Sequence, residues 1–445
     1  MNRRKFLQTT ALAAAAPLVI TNFEVFGAES PGNKLHLALI GSGGRAEAHY
    51  DALLTQNVVA LCDIDETHLA AALLKFPRAK TYVDWRKLLD DHKVLGLDGV
   101  VICTLDHTHA FITNWAINRG LHVYCEKPLA NTIEEARVVR ANYLKHKTKI
   151  ATQIGTQRHA FQNFNRVREL IRDGAIGELQ AAYAWGDRKL HKPGYLPAVG
   201  TPPSTLHYDL WLGPAPFHPY NPEYFSGKPG ANCLEWNMYW DFGTGQVGDM
   251  GSHTMDLVWN AIDAAPPTSA EATGDPYNPE VSPVKLEARF EHPANDWRGP
   301  IKVGWYQGGA MPNSPRDCIN LEKIGHGAMF KGSKGFLVTD FQTRTLLPFG
   351  DSADLTYYKR RTKEELLPTI GHFQKEWFDA CKGNLKTSCN FDYAGQMIEQ
   401  LLLGLVAYRA GQRVEYDSVA GRVTNLPDAN QYLRKSYRAG WTLNG

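Results

Sequence analysis

Three stretches of this 445-residue chain place reactive residue types at spacings that can do chemistry. The first is Gly41-Ser42-Gly43-Gly44-Arg45-Ala46, which follows the apolar run Leu35 to Ile40 and sets Gly41, Gly43 and Ala46 in the pattern G-x-G-x-x-G/A. The first glycine permits a tight turn, and the second lets a pyrophosphate approach the backbone. The small alanine lets the following helix pack close to the sheet. The free N–H groups at that helix start face a phosphate. Asp63 ends a second apolar run 22 residues after Gly41, where a carboxylate can accept hydrogen bonds from an adenosine ribose. A carboxylate repels a 2′-phosphate, and no Arg or Lys lies between Cys62 and Leu74, so NAD is expected rather than NADP.

The second stretch, Cys125-Glu126-Lys127-Pro128, lies at the end of another short apolar run. A lysine there can donate to a substrate oxygen, although the spacing alone equally fits a surface lysine before a helix-starting proline. The third is Gly245-Gln246-Val247-Gly248-Asp249-Met250-Gly251-Ser252-His253-Thr254-Met255-Asp256. In a helix, Asp249 and His253 share a face, so the carboxylate can raise the basicity of the imidazole and orient it as a general base. Taking hydride from a carbinol also requires removal of its hydroxyl proton, which gives such a base work to do. An ordinary stabilising pair on a helix surface would look the same, but glycines at 245, 248 and 251 are costly in such a helix. His107-x-His109 has no flanking acids in a ligand pattern. No metal is therefore expected, and both histidines are placed beside a cofactor crevice. Arg158 and His159, just past another strand end, can reach the nicotinamide or substrate.

The elements that must position these residues alternate strand and helix from Leu35 to about Gln157. The order βαβ implies a parallel sheet with its strand ends on one edge. Helices are expected over Glu66 to Leu74, Trp85 to Leu89, Thr108 to Asn118 and Thr132 to His146. From Gly186 to Ala231 the chain is rich in Pro, Gly, Tyr and Trp, an irregular excursion of the kind that carries function. A helix over Thr244 to Ala261 follows. Strands come next at Val284 to Phe290, Ile301 to Tyr306 and Gly335 to Val338, then two late helices near His372 to Cys381 and Tyr393 to Ala410. The expected class is α/β, a Rossmann-type parallel sheet domain (33–155) followed by an α+β domain (156–445) with a large open mixed sheet.

With 48 basic and 46 acidic residues the net charge is +2, which makes no case for nucleic-acid binding. Past the N-terminus no apolar run is long enough to span a bilayer. Residues 1–30 read as a twin-arginine signal: Arg3-Arg4-Lys5-Phe6-Leu7, an apolar run from Ala11 to Ile20, then a cleavable stretch near Ala28. Export to the periplasm or beyond is expected, with a dinucleotide loaded in the cytoplasm first. The seven cysteines lack metal-type pairs, and Cys381 with Cys389 could form a disulfide in an oxidising compartment.

Together these motifs resemble the Gfo/Idh/MocA family of NAD(P)-dependent proteins related to glucose–fructose oxidoreductase and inositol dehydrogenase. The resemblance runs over about residues 34 to 415 and rests on Gly41 to Ala46, Cys62-Asp63, Thr104 with His109, Glu126-Lys127-Pro128 and Asp249-x-Gly251-x-His253-x-x-Asp256. It implies a substrate site between two domains and homo-oligomer formation. It also implies a catalytic set of Lys127, Asp249 and His253, with cofactor contacts from Gly41, Ser42, Gly43, Gly44, Arg45, Asp63, Thr104, His109 and Glu126. The Lys-Pro bond is often cis in that family. The implied reaction is hydride transfer between NAD and a hydroxyl of a carbohydrate, polyol or glycoside. The alternatives are a glycoside hydrolase that recycles a tightly bound NAD and a non-catalytic sugar-binding protein. The excursion departs from the compact inositol dehydrogenase pattern, and Trp185, Trp211, Trp236, Tyr239 and Trp240 could stack on sugar faces there or simply pack the loop.

Overall fold

The computed structural model describes residues 31–228, 231–317, 319–350 and 361–445, so the twin-arginine segment lies outside the described residues. Six strands form the first sheet: β1 (His36–Ile40), β2 (Asn57–Cys62), β3 (Lys80–Tyr82), β4 (Gly99–Ile102), β5 (His122–Cys125) and β6 (Thr152–Ile154). Their order is β3-β2-β1-β4-β5-β6, and every pairing is parallel. β4 is buried along its whole length, which is why its sequence is an unbroken apolar run. The order reverses between β1 and β4, so a crevice opens there at the carboxyl ends of the strands. Helix starts follow local chemistry. Asp65 accepts from the Thr67 N–H at 2.9 Å to cap Glu66–Leu73. Thr132 and Glu135 form a reciprocal capping box ahead of Ile133–His146.

The second domain is built on nine strands: β7 (Leu179–Gly186), β8 (Ser269–Gly274), β9 (Leu286–His292), β10 (Ile301–Gln307), β11 (His326–Gly332), β12 (Gly335–Thr339), β13 (Arg344–Pro348), β14 (Val414–Asp417) and β15 (Arg422–Val423). The order is β13-β12-β11-β7-β10-β9-β8-β14-β15, and β7 with β10 is its parallel pair. The helix Phe391–Ala410 packs on this sheet and on the first domain. At Gly404 an added Cβ would meet Phe290 at 2.9 Å, and at Gly395 it would meet Arg140 at 3.0 Å. Arg137 pairs with Glu399 at 2.8 Å and Arg140 with Asp392 at 2.6 Å across the same contact.

The helix expected over Thr244 to Ala261 is found, helical without a break from Gly245 to Ile262, with a wide π-type turn at Val247–Gly251 ahead of the regular helix Ser252–Ile262. The chain enters it through Gly245, left-handed at φ +60°. Cys381 and Cys389 carry free thiols rather than a disulfide.

The outer edge of β6 is closed by the chain before Phe391–Ala410. Ile154 N–H donates to the Cys389 carbonyl at 3.0 Å, and the Thr387 hydroxyl donates to the Thr152 carbonyl at 2.6 Å. Beside this seam the buried His159 ring bonds Asp256 at 2.9 Å, and the Tyr393 hydroxyl donates to the same carboxylate at 2.6 Å. The Cys389 thiol joins the group, its ligand atoms lying within 4.8 Å of one another. Burial opposes the imidazolium, but Asp256 wins and holds His159 well above its usual 6.5. A raised folded value means that this stabilisation is complete below about pH 6.5 and fades as pH rises through the folded value. His159→Gln leaves Asp256 buried without its cation and is expected to cost about 3–5 kcal/mol at pH 6. Urea unfolding across pH should show the gap between wild type and variant narrowing on the alkaline side.

Candidate active site

The turn after β1 is shaped by contact. Gly41 stands at φ +81°, and a Cβ there would strike the Cys103 backbone at 2.6 Å, so β1 and β4 approach as closely as only glycine permits. Gly44 is also left-handed, at φ +58°. Asp63, at the end of β2, accepts from the Ser42 N–H at 2.7 Å and the Gly43 N–H at 3.2 Å. Burial pushes its carboxyl up, but hydrogen bonds from His68, Asp65 and Ser42 outweigh this and hold it below its ordinary range. The first N–H groups of Gly44–His49 have no intrahelical partner. An anion at this turn and hydroxyls at Asp63 fit the donor and acceptor set of a dinucleotide.

Glu126 and Arg45 meet each other, Oε1 to Nε 3.1 Å, and the same oxygen bonds His49 at 2.8 Å. His107 and His109, placed beside the crevice from the sequence, are both buried. His109 is 1% exposed and bridges the Pro128 carbonyl (2.7 Å) and the Thr104 carbonyl (3.1 Å), tying the loop after β4 to the Lys127-Pro128 turn. His107 is spent on the carbonyls of Trp211 and Leu212, both at 3.1 Å. The Lys127-Pro128 bond is cis.

From the opposite side, the π-type turn delivers Asp249 to Lys127, with Oδ1 2.5 Å from Nζ. Burial disfavours both charges, but their mutual field wins: Lys127 rises above its ordinary value and Asp249 falls to about 2, with Arg188 adding to the second shift. Arg188 bonds the other oxygen of Asp249. His253 is 5% exposed, and its Nδ1 has no hydrogen-bond partner among the described residues. Asp249 does raise the basicity of His253, as the spacing predicts, but larger opposing effects outweigh it. Asp249 is committed to Lys127 and Arg188, while burial, Lys127 and Arg158 hold the imidazole well below 6.5. Arg188, which follows β7, was not singled out from the sequence, nor was Asp106, a carboxyl that burial pushes up to about 8. A cation just past a strand end was the available sign of Arg188, but the alanines of β7 hid the strand.

Residues 35–153 match "Oxidoreductase family, NAD-binding Rossmann fold" and residues 178–282 match "Oxidoreductase family, C-terminal alpha/beta domain", both of the Gfo/Idh/MocA type and together just over half of the chain. The chain belongs to the Gfo/Idh/MocA oxidoreductase family. An inositol 2-dehydrogenase of Salmonella paratyphi B is 35% identical over 123 residues, 27% of this chain and 35% of that protein. A glycosyl hydrolase family 109 protein of Stenotrophomonas maltophilia is 31% identical over 206 residues, 41% of this chain and 42% of that protein. These matches therefore span less than half of either relative. Among solved structures, the WlbA dehydrogenase of Bordetella pertussis, in complex with NADH and UDP-GlcNAcA, superposes with a TM-score of 0.59 over 86% of this chain and 99% of that one, at 14% identity. That likeness is one of fold.

In this Gfo/Idh/MocA chain the excursion after β7 lies against the cofactor crevice. Leu206 forms an antiparallel bridge with Asp65, Glu66 N–H donates to the Thr205 carbonyl at 3.0 Å, and His207 N–H donates to the Ile64 carbonyl at 2.8 Å. A Cβ on Gly44 would meet Asn232 at 3.4 Å. The aromatic residues do not offer stacking faces. Trp211, Trp236, Tyr239 and Phe242 pack with Tyr208 and Tyr224 into a core of their own, while Trp185 packs with Tyr306 and Met329, and Trp240 joins the main core. Replacing Asp63 by alanine is expected to weaken NAD binding by about 10-fold or more, the loss of charge-assisted hydrogen bonds. Titration calorimetry should also show NADP gaining relative to NAD, since the repelling carboxylate is gone.

Proposed function

We propose that the chain is an NAD-dependent oxidoreductase acting on a hydroxyl of a sugar, polyol or glycoside. The observation that carries this reading is the Lys127–Asp249 contact at the carboxyl edge of the parallel sheet, beside an imidazole kept neutral. Bound NAD would accept hydride at its nicotinamide C4. Gly41, Ser42, Gly43 and Gly44 would hold its pyrophosphate, with Asp63 on the ribose. Arg45, Glu126, Thr104 and His109 shape the walls around it. Lys127, fixed by Asp249, donates a hydrogen bond to the substrate oxygen and stabilises negative charge as the hydroxyl proton leaves. His253 takes that proton at a ring nitrogen. The inositol dehydrogenase relatives support a cyclic polyol or sugar as substrate. The Arg3-Arg4 pattern supports export of a folded, cofactor-loaded chain, and the excursion packed against the crevice supports long retention of the dinucleotide. An oligomer formed through the open sheet belongs to the same reading.

Lys127→Met is expected to lower turnover by about 10²–10⁴-fold. NAD should remain bound, seen by fluorescence titration. Near wild-type turnover on the true substrate would reject the role. His253 is held neutral down to acid pH, so kcat/KM should show no loss of base through the interval around 6.5. A fall centred at 6.5 would assign the base elsewhere. Glycoside cleavage without net NADH, with solvent deuterium entering the sugar ring, would instead identify the hydrolase alternative.

A further inference from the structure

Resting on the oxidoreductase reading, we propose that the substrate is an acid, a sugar or polyol bearing a carboxylate that Arg158 receives beside Arg188. Arg158 follows β6 and lays its guanidinium over Phe341, 4.1 Å from the ring centroid. Among the described residues no carboxylate forms an ion pair with it. Stacking fixes the plane of a guanidinium and leaves its N–H edge free, the geometry that binds a carboxylate through two parallel hydrogen bonds. Phe341 also meets the His253 ring, with centroids 6.5 Å apart, so the free edge stands close to the proposed base.

The charge balance of the cleft points the same way. Lys127 and Arg188 both bond Asp249, and Arg158 adds a third cation against that one carboxylate. Among the other acids, only the exposed Asp187 adds negative charge, felt at His326. Glu126 is taken by Arg45 and His49, and Asp106, pushed up to about 8 by burial, is neutral at neutral pH. His326, facing both arginines, is pushed down to about 4 by burial and their fields and adds no charge of its own. The cleft therefore holds positive charge in excess even with Asp187 counted, and a partly desolvated arginine without a partner is costly unless a ligand supplies one.

The cofactor is not that partner. Its pyrophosphate belongs to the turn after β1, whereas Arg158 follows the edge strand β6, three positions away in the sheet. A planar carboxylate offers its two oxygens to the two parallel N–H bonds of the Arg158 edge, and a phosphate monoester is the competing anion that the test includes.

The test uses the full chain loaded with NAD. Calorimetry and NADH formation are measured with D-glucuronate, D-galacturonate and D-gluconate, their neutral parents D-glucose, D-galactose and D-glucitol, and D-glucose 6-phosphate. At least one acid should bind about 10-fold or more tightly than its neutral parent, the worth of a charge-assisted pair. Arg158→Gln should bring that acid-to-neutral ratio close to one, and Arg158→Lys should restore part of it. Equal or better binding of the neutral parents, tighter binding of the phosphate, or an unchanged ratio in Arg158→Gln would each overturn the proposal. A chain that binds NAD and oxidises neutral sugars without preference keeps the oxidoreductase reading and loses this one. Tight acid binding lost in Arg158→Gln, with no hydride transfer, keeps the acid site and removes the oxidoreductase reading.

Discussion

Everything at this site depends on one buried ion pair whose members come from different domains. Lys127 stands two residues past the end of β5 in the parallel sheet, and Asp249 sits 122 positions later on a turn of the second domain. Taking both charges out of water costs several kcal/mol per ion, repaid only when the geometry is tight. The pair therefore cannot tolerate a loose junction. The seam that closes β6, the His159–Asp256 pair beside it, and the close approaches at Gly395 and Gly404 set the rigidity that this contact requires.

The same pair sets the electrostatics of its neighbours. Asp249 and Glu126 raise His253, but burial and the cations that gather around Asp249 outweigh them and keep the imidazole unprotonated. A neutral base and a charged hydrogen-bond donor in one small cleft are hard to obtain from composition alone, because burial opposes protonation of both groups and nearby acids favour it. Committing the carboxylate to the lysine separates their roles.

The first domain was the more legible half. Parallel strands buried on both faces must be written as apolar runs, so β1, β4 and β5 announce themselves, and the turn after β1 carries glycines that nothing else explains. β7 was not legible. Ala181, Ala182 and Ala184 put little apolar bulk on either face of the strand, and small residues blur its period-two signal. The spacing of Asp249 and His253 was legible in the sequence, but the geometry it produces was not. The i,i+4 rule assumes 3.6 residues per turn, and the π-type turn widens that interval, sending Asp249 to Lys127 instead. The tryptophans misled for a related reason: a long excursion needs an apolar core of its own before it can offer surfaces to anything else.

That excursion links the two halves of the cleft in a way neither domain would produce alone. It begins with Arg188 on Asp249, pairs with residues 64–66 beside the ribose acid, and accepts His107 on its carbonyls at 211 and 212. The C-terminal tail then fastens it from behind, with Arg438 bonding Asp209 at 2.6 Å and the Gly213 carbonyl at 2.7 Å. Opening the crevice on the Asp63 side has to break the strand-like bridge at Leu206, while the opposite end of the same segment holds Asp249 through Arg188. Cofactor enclosure and substrate-site charge are thus mechanically joined, and a change at either end of the excursion acts on both.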